Sequence, residues 1–400
     1  MLTQQHIDTV KSTIPLLESA GTAITQHFYQ RMFLHNPELK DIFNMSHQKT
    51  GGQPVALFNA IAAYAKHIET PEVLGHAVER IAQKHTSFNV QPAQYAIIGH
   101  HLIETLRELA GDAFTPEVEE AWGEAYHFLA NIFIDREGEL YARRAAAEGG
   151  WVGPRTFILT DTQQESELVK SLVFAPLDEQ PVLDYQPGQY IGIEVKPSQG
   201  EHQEIRQYTL SDKANGSTYR ISVKREATEI PGLVSNYLHD ELSIGDQVKL
   251  YPPAGDFFFK PRQAPIVLIS AGVGVTPMQA ILETLLSQHA QGSVHYLHAC
   301  ETPQQFSFAQ RLQAAQTQLA LTQHIWLRNS DDALPTNPAA NYYAGTMQLS
   351  PIQEQLPLEH GDYYLCGPVG FMQFIKRQLL ELGVDDTRIH YEVFGPHQDL

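Results

Sequence analysis

The hydrophobic pattern changes its period twice along this 400-residue chain, and that change constrains the fold more than any single motif. Up to about residue 147, apolar residues recur every three to four positions, the spacing of one helical face. Gly21, Pro37, Gly51, Gly52, Pro71, Pro92 and the run "GDAFTP" interrupt the pattern as turns would. From about residue 148 the segments shorten and alternate with period two. In "TYRISVKR", for example, Tyr219, Ile221 and Val223 share one face of a strand. In "APIVLISAGVGVTPMQAILETLLSQ" an apolar run, a glycine-rich turn and an amphipathic helix follow one another, and later strands and helices alternate as in a parallel sheet. The chain exceeds the usual single-domain length of about 100–200 residues. The expected architecture is therefore multidomain: an all-α domain at 1–147, a β-rich domain at 148–262 and an α/β parallel-sheet domain at 263–400.

Charge and cysteine content narrow the function classes. With 27 basic against 46 acidic residues, the formal charge of −19 argues against a nucleic-acid partner. The N-terminus lacks a signal-peptide layout, and no apolar run approaches the roughly 20 residues of a membrane span. A soluble cytoplasmic protein is the expectation. Cys300 and Cys366 are too few for a disulfide framework or a structural zinc site, so histidine would have to hold any metal.

Four inward-facing stripes of the helical part each carry a polar residue. His85 joins Leu74, Val78, Ile81 and Phe88 at helical spacing. Gln53 extends the stripe Leu57, Ile61, Tyr64 and Ile68 back by a turn. Tyr95 does the same for Ile98, Leu102, Leu106 and Leu109, and Glu137 lies at the edge of the face formed by Trp122, Tyr126, Leu129, Phe133 and Leu140. Taken singly, each has an ordinary reading: a satisfied core histidine, a helix start beside Pro54, a core tyrosine with a wet hydroxyl, a solvated glutamate. Together they fit an iron porphyrin, with an imidazole ligating from one side and a small polar pocket on the other. Glu137 suits the acidic group that accepts the ligand's other N–H and raises its basicity.

The segments "TIPLLESAGTAITQHFYQRMFLHNPELKDIFN", "LFNAIAAYA", "IAQKHTSF" and "NIFIDREGELY" resemble the globin domain of bacterial and yeast flavohaemoglobins, and the similarity extends over essentially the whole chain. The resemblance implies a globin domain, an antiparallel β-barrel FAD domain and an NAD(P) domain. It implies His85 as the proximal haem ligand, backed by Tyr95 and Glu137. It also implies Tyr29, Gln53 and Leu57 around the distal ligand and Phe43 against the porphyrin. Tyr29 comes from the resemblance alone, because a tyrosine in "HFYQRMF" otherwise passes as ordinary core.

The rest of the chain carries the reductase motifs. "EIRQYTLSD" places Arg206 and Tyr208 on one strand face and Thr209 opposite, with Gln207 between them; any barrel strand can look so. By resemblance to the ferredoxin reductase family, the arginine meets the flavin pyrophosphate, the tyrosine packs on the isoalloxazine and the hydroxyl approaches flavin N5. "PGLVSNYLHDEL" opens a helix with Gly232 and Ser235, where free N–H groups can receive phosphate or simply cap a surface helix. Tyr190 in "PGQY" and the run "PPAGDFFF" also match that family's barrel. "SAGVGVTPM", with Gly272, Val273, Gly274, Val275, Thr276 and Pro277, departs from the G-x-G-x-x-G fingerprint because Pro277 takes the third glycine position. Between a strand and a helix it still lets backbone amides approach a pyrophosphate. "YYLCGP" (Cys366, Gly367, Pro368) and "YEVFGP" (Glu392, Val393, Phe394, Gly395, Pro396) match the nicotinamide side, with Phe394 as the aromatic that covers the flavin. Cys366 alone would read as a small buried hydrophobe.

The resemblance implies one haem b, one FAD, and NADH or NADPH as reductant, with electrons passing from coenzyme through FAD to haem. The implied activity is that of a nitric oxide dioxygenase, turning O2 and nitric oxide into nitrate. An O2- or NO-binding store kept ferrous by its reductase, and a general NAD(P)H-dependent reductase of flavins, ferric compounds or peroxides, are the alternatives. Lys84 and Glu392 are implied to stand between haem and flavin, although Lys and Glu are more often solvated charges. Glu301 in "HACETPQ" would repel a 2′-phosphate, which points to some preference for NADH. The oligomeric state is left open, a monomer being the simplest reading.

Overall fold

The computed structural model describes residues 2–43, 45, 51–227, 231–329, 334–336 and 339–395. They form two compact units, Met1–Pro154 with Glu194–Arg206 and Arg155–Ile193 with Gln207–Leu400.

The first unit is helical up to residue 146: α1 Gln4–Ser12, α2 Ile14–Ala20, α3 Ala23–His35, α4 Gly52–Lys66, α5 Gly75–Thr86, α6 Pro92–Ala110 and α7 Pro116–Ala146. Its helix ends follow from local chemistry. Thr115 caps α7 by accepting from the Val118 N–H, Pro116 follows it, Glu117 and Glu119 occupy the first turn, and Arg143 and Arg144 the last. Val10, Phe28, Met32, Tyr64, Trp122 and Ala125 are buried together. The Tyr64 hydroxyl finds the Ala125 carbonyl at 2.7 Å, so the core tyrosine is satisfied.

One expected stripe is shorter than its spacing suggests. Leu74 lies in a separate 3-10 turn, Pro71–Leu74, and Phe88 lies in the turn beyond α5. The chain leaves the helix because Asn89 takes a left-handed conformation (φ 57°) while the Val90 N–H reaches back to the His85 carbonyl at 3.1 Å. His85 therefore sits in a final helical turn.

The first sheet contains β1 Arg155–Gln164, β2 Val169–Pro176, β3 Tyr190–Val195, β4 Glu204–Thr209, β5 Tyr219–Lys224 and β6 Gln247–Leu250. Their order is β4-β3-β6-β1-β2-β5, with β1 antiparallel to both β2 and β6, and β2 antiparallel to β5. An antiparallel bridge between Leu210 and Ile221 joins the two ends of that order, which makes the sheet a barrel. α8, Leu233–Asp240, packs beside it.

Strand β5 is buried on both faces, not on alternate residues alone, since Arg220 and Ser222 are covered as well as Tyr219, Ile221 and Val223. The covering on the polar side is a closed ring. Ser171 Oγ donates to Glu165 at 2.7 Å, and Ser171, Ser222 and Ser211 hydroxyls follow at 2.7 Å each. Arg220 Nε donates to Ser211 Oγ at 3.2 Å, and its guanidinium lies 3.8 Å from Glu283. Arg311 then bridges Glu283 at 3.1 Å and Glu165 at 3.9 Å.

Glu283 and Arg311 belong to the α/β part, made of β7 Ile266–Ala271, α9 Val275–Ser287, β8 Val294–Cys300, α10 Ala309–Ala315, β9 Leu321–Leu327, β10 Asn341–Ala344, β11 Asp362–Cys366, α11 Val369–Glu381 and β12 Ile389–Glu392. The strands are parallel in the order β10-β9-β8-β7-β11-β12. Chain order runs outward from β7 in one direction and then restarts on its other side at β11. In open α/β sheets, ligands bind beyond the strand ends at such a switch point.

Candidate functional site

In the helical unit the final turn of α5 aims His85 at α7. His85 Nδ1 lies 2.8 Å from Glu137 Oε1 and 2.9 Å from the Tyr95 hydroxyl, and that hydroxyl lies 2.5 Å from the same Glu137 oxygen. Glu137 is 2% exposed, so it faces fully inward and not at the edge of its stripe. Burial first, and the neighbouring carboxylate second, push the Tyr95 phenol far above its ordinary range, so it stays protonated and donates to Glu137. With the carboxylate able only to accept and Tyr95 spending its proton there, Nδ1 must carry the imidazole hydrogen. Nε2 is left with its lone pair and has no protein partner among the described residues. The imidazole side is about one-third exposed, and Phe133 flanks it at 5.8 Å, stacked in turn on Tyr95.

No group of three or more His, Cys, Asp or Glu residues among the described residues could hold a metal ion. A lone imidazole with a free Nε2 and a hydrogen-bonded Nδ1 suits a metal that brings its other ligands with it, as in a porphyrin.

Tyr29 is buried on α3, with ring contacts to Phe28, Phe33 and Phe43 at 5.0, 5.9 and 5.8 Å. Gln53 and Leu57 stand one turn apart at the start of α4, both half-buried. Phe43, Leu57 and Ile61 are apolar yet only partly covered, as are Val78, Ile81 and Val90 near His85. Such surface is what a flat apolar group would cover. Lys84 precedes His85 in the last turn of α5. Sequence reasoning missed Tyr141, whose hydroxyl donates to the Val90 carbonyl at 2.9 Å, and Arg144, which reaches Thr86 and Gln83. Their signal was the i+4 and i+7 spacing from Glu137.

In β4, Arg206 and Tyr208 are half-buried and Thr209 is buried. Arg206 Nη1 lies 2.8 Å from Glu204, a pair that leaves further guanidinium donors for an anion. Gln207 lies between them. Tyr190 opens β3, paired through its backbone with Ala254 in both directions at 2.9 and 2.8 Å. Gly232 caps α8 where an added Cβ would meet Ser235 Oγ at 2.3 Å, and Ser235 donates to the Gly232 carbonyl at 3.2 Å. Gly232 thus lets the chain close tightly on Ser235 at the helix start.

The glycine loop lies at the switch point. Gly272 takes φ +53°, and a Cβ on Gly274 would stand 2.2 Å from the Cys366 carbonyl and 2.6 Å from the Gly367 nitrogen. The loops after β7 and β11 therefore touch backbone to backbone, a closeness only glycine permits. Val273 lies between them in a 3-10 turn, Gly272–Gly274, and Val275, Thr276 and Pro277 form the buried first turn of α9. Cys366 is fully buried and burial pushes its thiol well up, so it packs as an apolar side chain. Pro368 caps α11, and Cys366 pairs in register with Glu392. Val393, Phe394 and Gly395 follow β12, Phe394 being exposed. Pro396 lies outside the described residues. At the ends of β8 and β9, Glu301 accepts from Asn329 Nδ2 at 2.8 Å and lies 3.4 Å from Arg328.

Family comparisons match this layout. The globin family matches residues 26–133, the oxidoreductase FAD-binding domain 156–259 and the oxidoreductase NAD-binding domain 268–377. A flavohemoprotein of Vibrio cholerae is 61% identical over 404 residues, covering all of both chains. A crystal structure of a flavohemoglobin from Malassezia yamatoensis, with bound FAD and heme, superposes with a TM-score of 0.86 at 28% identity, over 98% of this chain and 100% of that one. The flavohem-like FAD/NAD-binding domain of the nitric oxide dioxygenase from Vibrio cholerae O1 biovar El Tor is 53% identical, with a TM-score of 0.56, over 60% of this chain and 99% of that one. Globin, FAD-binding and NAD-binding parts in this order, with identity along the full length, place the chain in the flavohemoprotein family.

Proposed function

We infer that the chain is an NAD(P)H-dependent nitric oxide dioxygenase, which uses O2 to oxidise nitric oxide to nitrate. The observation that carries the reading is the buried carboxylate behind a lone imidazole, joined in one chain to a flavin and dinucleotide reductase. A simple oxygen store has little use for an acidic proximal partner; a centre that must push electron density onto its ligand does. When bound, haem supplies a gas-binding redox centre and FAD converts two-electron hydride chemistry into single-electron steps.

The protein's own residues do the rest. His85 would offer Nε2 to the iron, while its Nδ1–H faces the Glu137 carboxylate to which Tyr95 also donates. Tyr29, Gln53 and Leu57 would line the distal side and Phe43 the porphyrin face. Arg206, Gln207, Tyr208, Thr209, Tyr190, Gly232 and Ser235 would hold FAD. Residues 272–277 and 366–368 would form the dinucleotide cradle, with Glu392 to Gly395 on its nicotinamide side.

The test is aerobic turnover with limiting nitric oxide, following coenzyme oxidation and nitrate together. Two nitrates per coenzyme oxidised is the expected ratio, because a hydride carries two electrons. Saturable gas binding without nitrate would sink the proposal and favour a store.

A further inference from the structure

Helix α7 grips more of the proximal segment than its ligand. Glu137, Tyr141 and Arg144 follow one another at i, i+4 and i+7 on the same face. They engage His85, the Val90 carbonyl, and the pair Thr86 and Gln83 respectively. Arg144 Nη1 donates to Thr86 Oγ1 and Nη2 to Gln83 Oε1, each at 2.6 Å. Thr86 Oγ1 donates onward to the Gln83 carbonyl at 2.7 Å. One guanidinium thus holds both sides of the turn that contains His85, since Thr86 follows it directly and Gln83 precedes it by two.

Arg144 is 6% exposed, and Gln83 and Thr86 are buried too. Taking a guanidinium out of water costs several kcal/mol, which an apolar side chain at this position would avoid. The fork has a geometric use instead: two coplanar donors meet two acceptors three residues apart, which a lysine ammonium cannot reproduce. The backbone at Arg144 is also fixed. Its carbonyl accepts from the Ala147 N–H at 3.3 Å, and a Cβ on Gly150 would fall 1.8 Å from it, so the chain folds back tightly on the helix end.

We propose that Arg144 is a positioning residue for the proximal imidazole, setting the rotation of the last turn of α5 so that His85 Nδ1 meets Glu137 and Tyr95 together. The proposal rests on His85 being the haem ligand. Without the guanidinium the turn can rotate about its axis, the Nδ1 to carboxylate bond lengthens, and the ligand loses anionic character.

The test compares the full chain with Arg144→Met, Arg144→Lys and Arg107→Gln. Arg107 joins α6 to α7 through Glu119 at 2.6 Å and bonds Glu104, not the residues of the His85 turn. The readouts are the iron–histidine stretching band of the ferrous protein by resonance Raman and haem transfer to excess apomyoglobin. Arg144→Met is expected to move the band to lower frequency and to speed haem transfer about tenfold, as loss of an outer-shell partner does for metal sites. Arg144→Lys should move both in the same direction by less. Arg107→Gln should leave both at their wild-type values even where it lowers the melting temperature. A wild-type band and transfer rate in Arg144→Met, or an equal change in Arg107→Gln, overturns the proposal. If Arg144→Met does not fold, an unshifted band in Arg144→Lys overturns it. A wild-type protein whose haem lacks an iron–histidine band would refute the ligand reading instead.

Discussion

His85 Nδ1 stands 2.8 Å from Glu137 Oε1, an oxygen that already accepts the hydrogen bond of the Tyr95 hydroxyl. A carboxylate there admits only one imidazole tautomer. Glu137→Gln replaces a pure acceptor with an amide that can also donate, so the ring proton can move to Nε2, where a metal needs a lone pair. The expected outcome is haem affinity lowered roughly 10–100-fold, read from a Soret titration of the apoprotein. Wild-type affinity would show that the tautomer is fixed by something else.

Gly274 meets backbone, not a movable side chain, at Cys366 and Gly367. Gly274→Ala must push apart the ends of β7 and β11, an overpacking that costs about 1–3 kcal/mol. We expect a several-fold higher KM for NADH and a lower unfolding midpoint, with haem and FAD contents unchanged. Steady-state kinetics and urea denaturation check this, and a KM equal to wild type would remove the loop from the dinucleotide site.

Glu301 restrains Arg328 at the strand ends. Glu301→Ala removes the carboxylate that would repel a 2′-phosphate and leaves a guanidinium that can receive one. The ratio of kcat/KM for NADPH over NADH should rise at least about tenfold, equivalent to about 1.4 kcal/mol. Adding Arg328→Ala should abolish the gain. Specificity constants for both coenzymes decide it, and an unchanged ratio in the single variant would dismiss the assignment.

His298 is wholly buried, bonded to Ser270 at 2.9 Å and stacked on Phe306, and burial lowers its pKa to about 4. Between about pH 4 and pH 6.5 the unfolded chain binds a proton that the folded chain refuses, so stability rises with pH across that window. The contribution is fully present above pH 6.5 and lost as pH falls toward 4, up to roughly 3 kcal/mol. His298→Gln should flatten this dependence. Urea midpoints at pH 5 and pH 7.5 measure it, and equal slopes in both proteins would contradict the assignment.

The sequence disclosed more of the site where a polar side chain interrupts an apolar stripe than where it hides among aromatics. His85, Tyr95 and Glu137 stand out because packing alone would place Leu or Phe there. Tyr29 has no such signal: its ring shares a cluster with Phe28, Phe33 and Phe43, and only its hydroxyl distinguishes it. Arg144 escaped notice because an arginine in the last turn of a helix is normally a solvated answer to the macrodipole. The periodic change from helix to strand was legible from residue spacing. The double burial of β5 was not, since Arg220 and Ser222 look like an outward face until Glu283 and Arg311 arrive from distant sequence. Leu74 and Phe88 kept helical spacing beyond the ends of α5 because periodicity registers neither a 3-10 turn such as Pro71–Leu74 nor a left-handed residue such as Asn89.

The ring through Glu165, Ser171, Ser222, Ser211, Arg220, Glu283 and Arg311 also bears on modularity. Family matches end at residue 259 for one part and begin at 268 for the next, which invites cutting the gene between them. A fragment made that way keeps Glu165 and Arg220 but discards their partners Arg311 and Glu283, turning a covered interior into a hydrated face. The reductase is thus two units of inheritance but one unit of folding, and a chimera that borrows either half must import the opposite side of the ring with it.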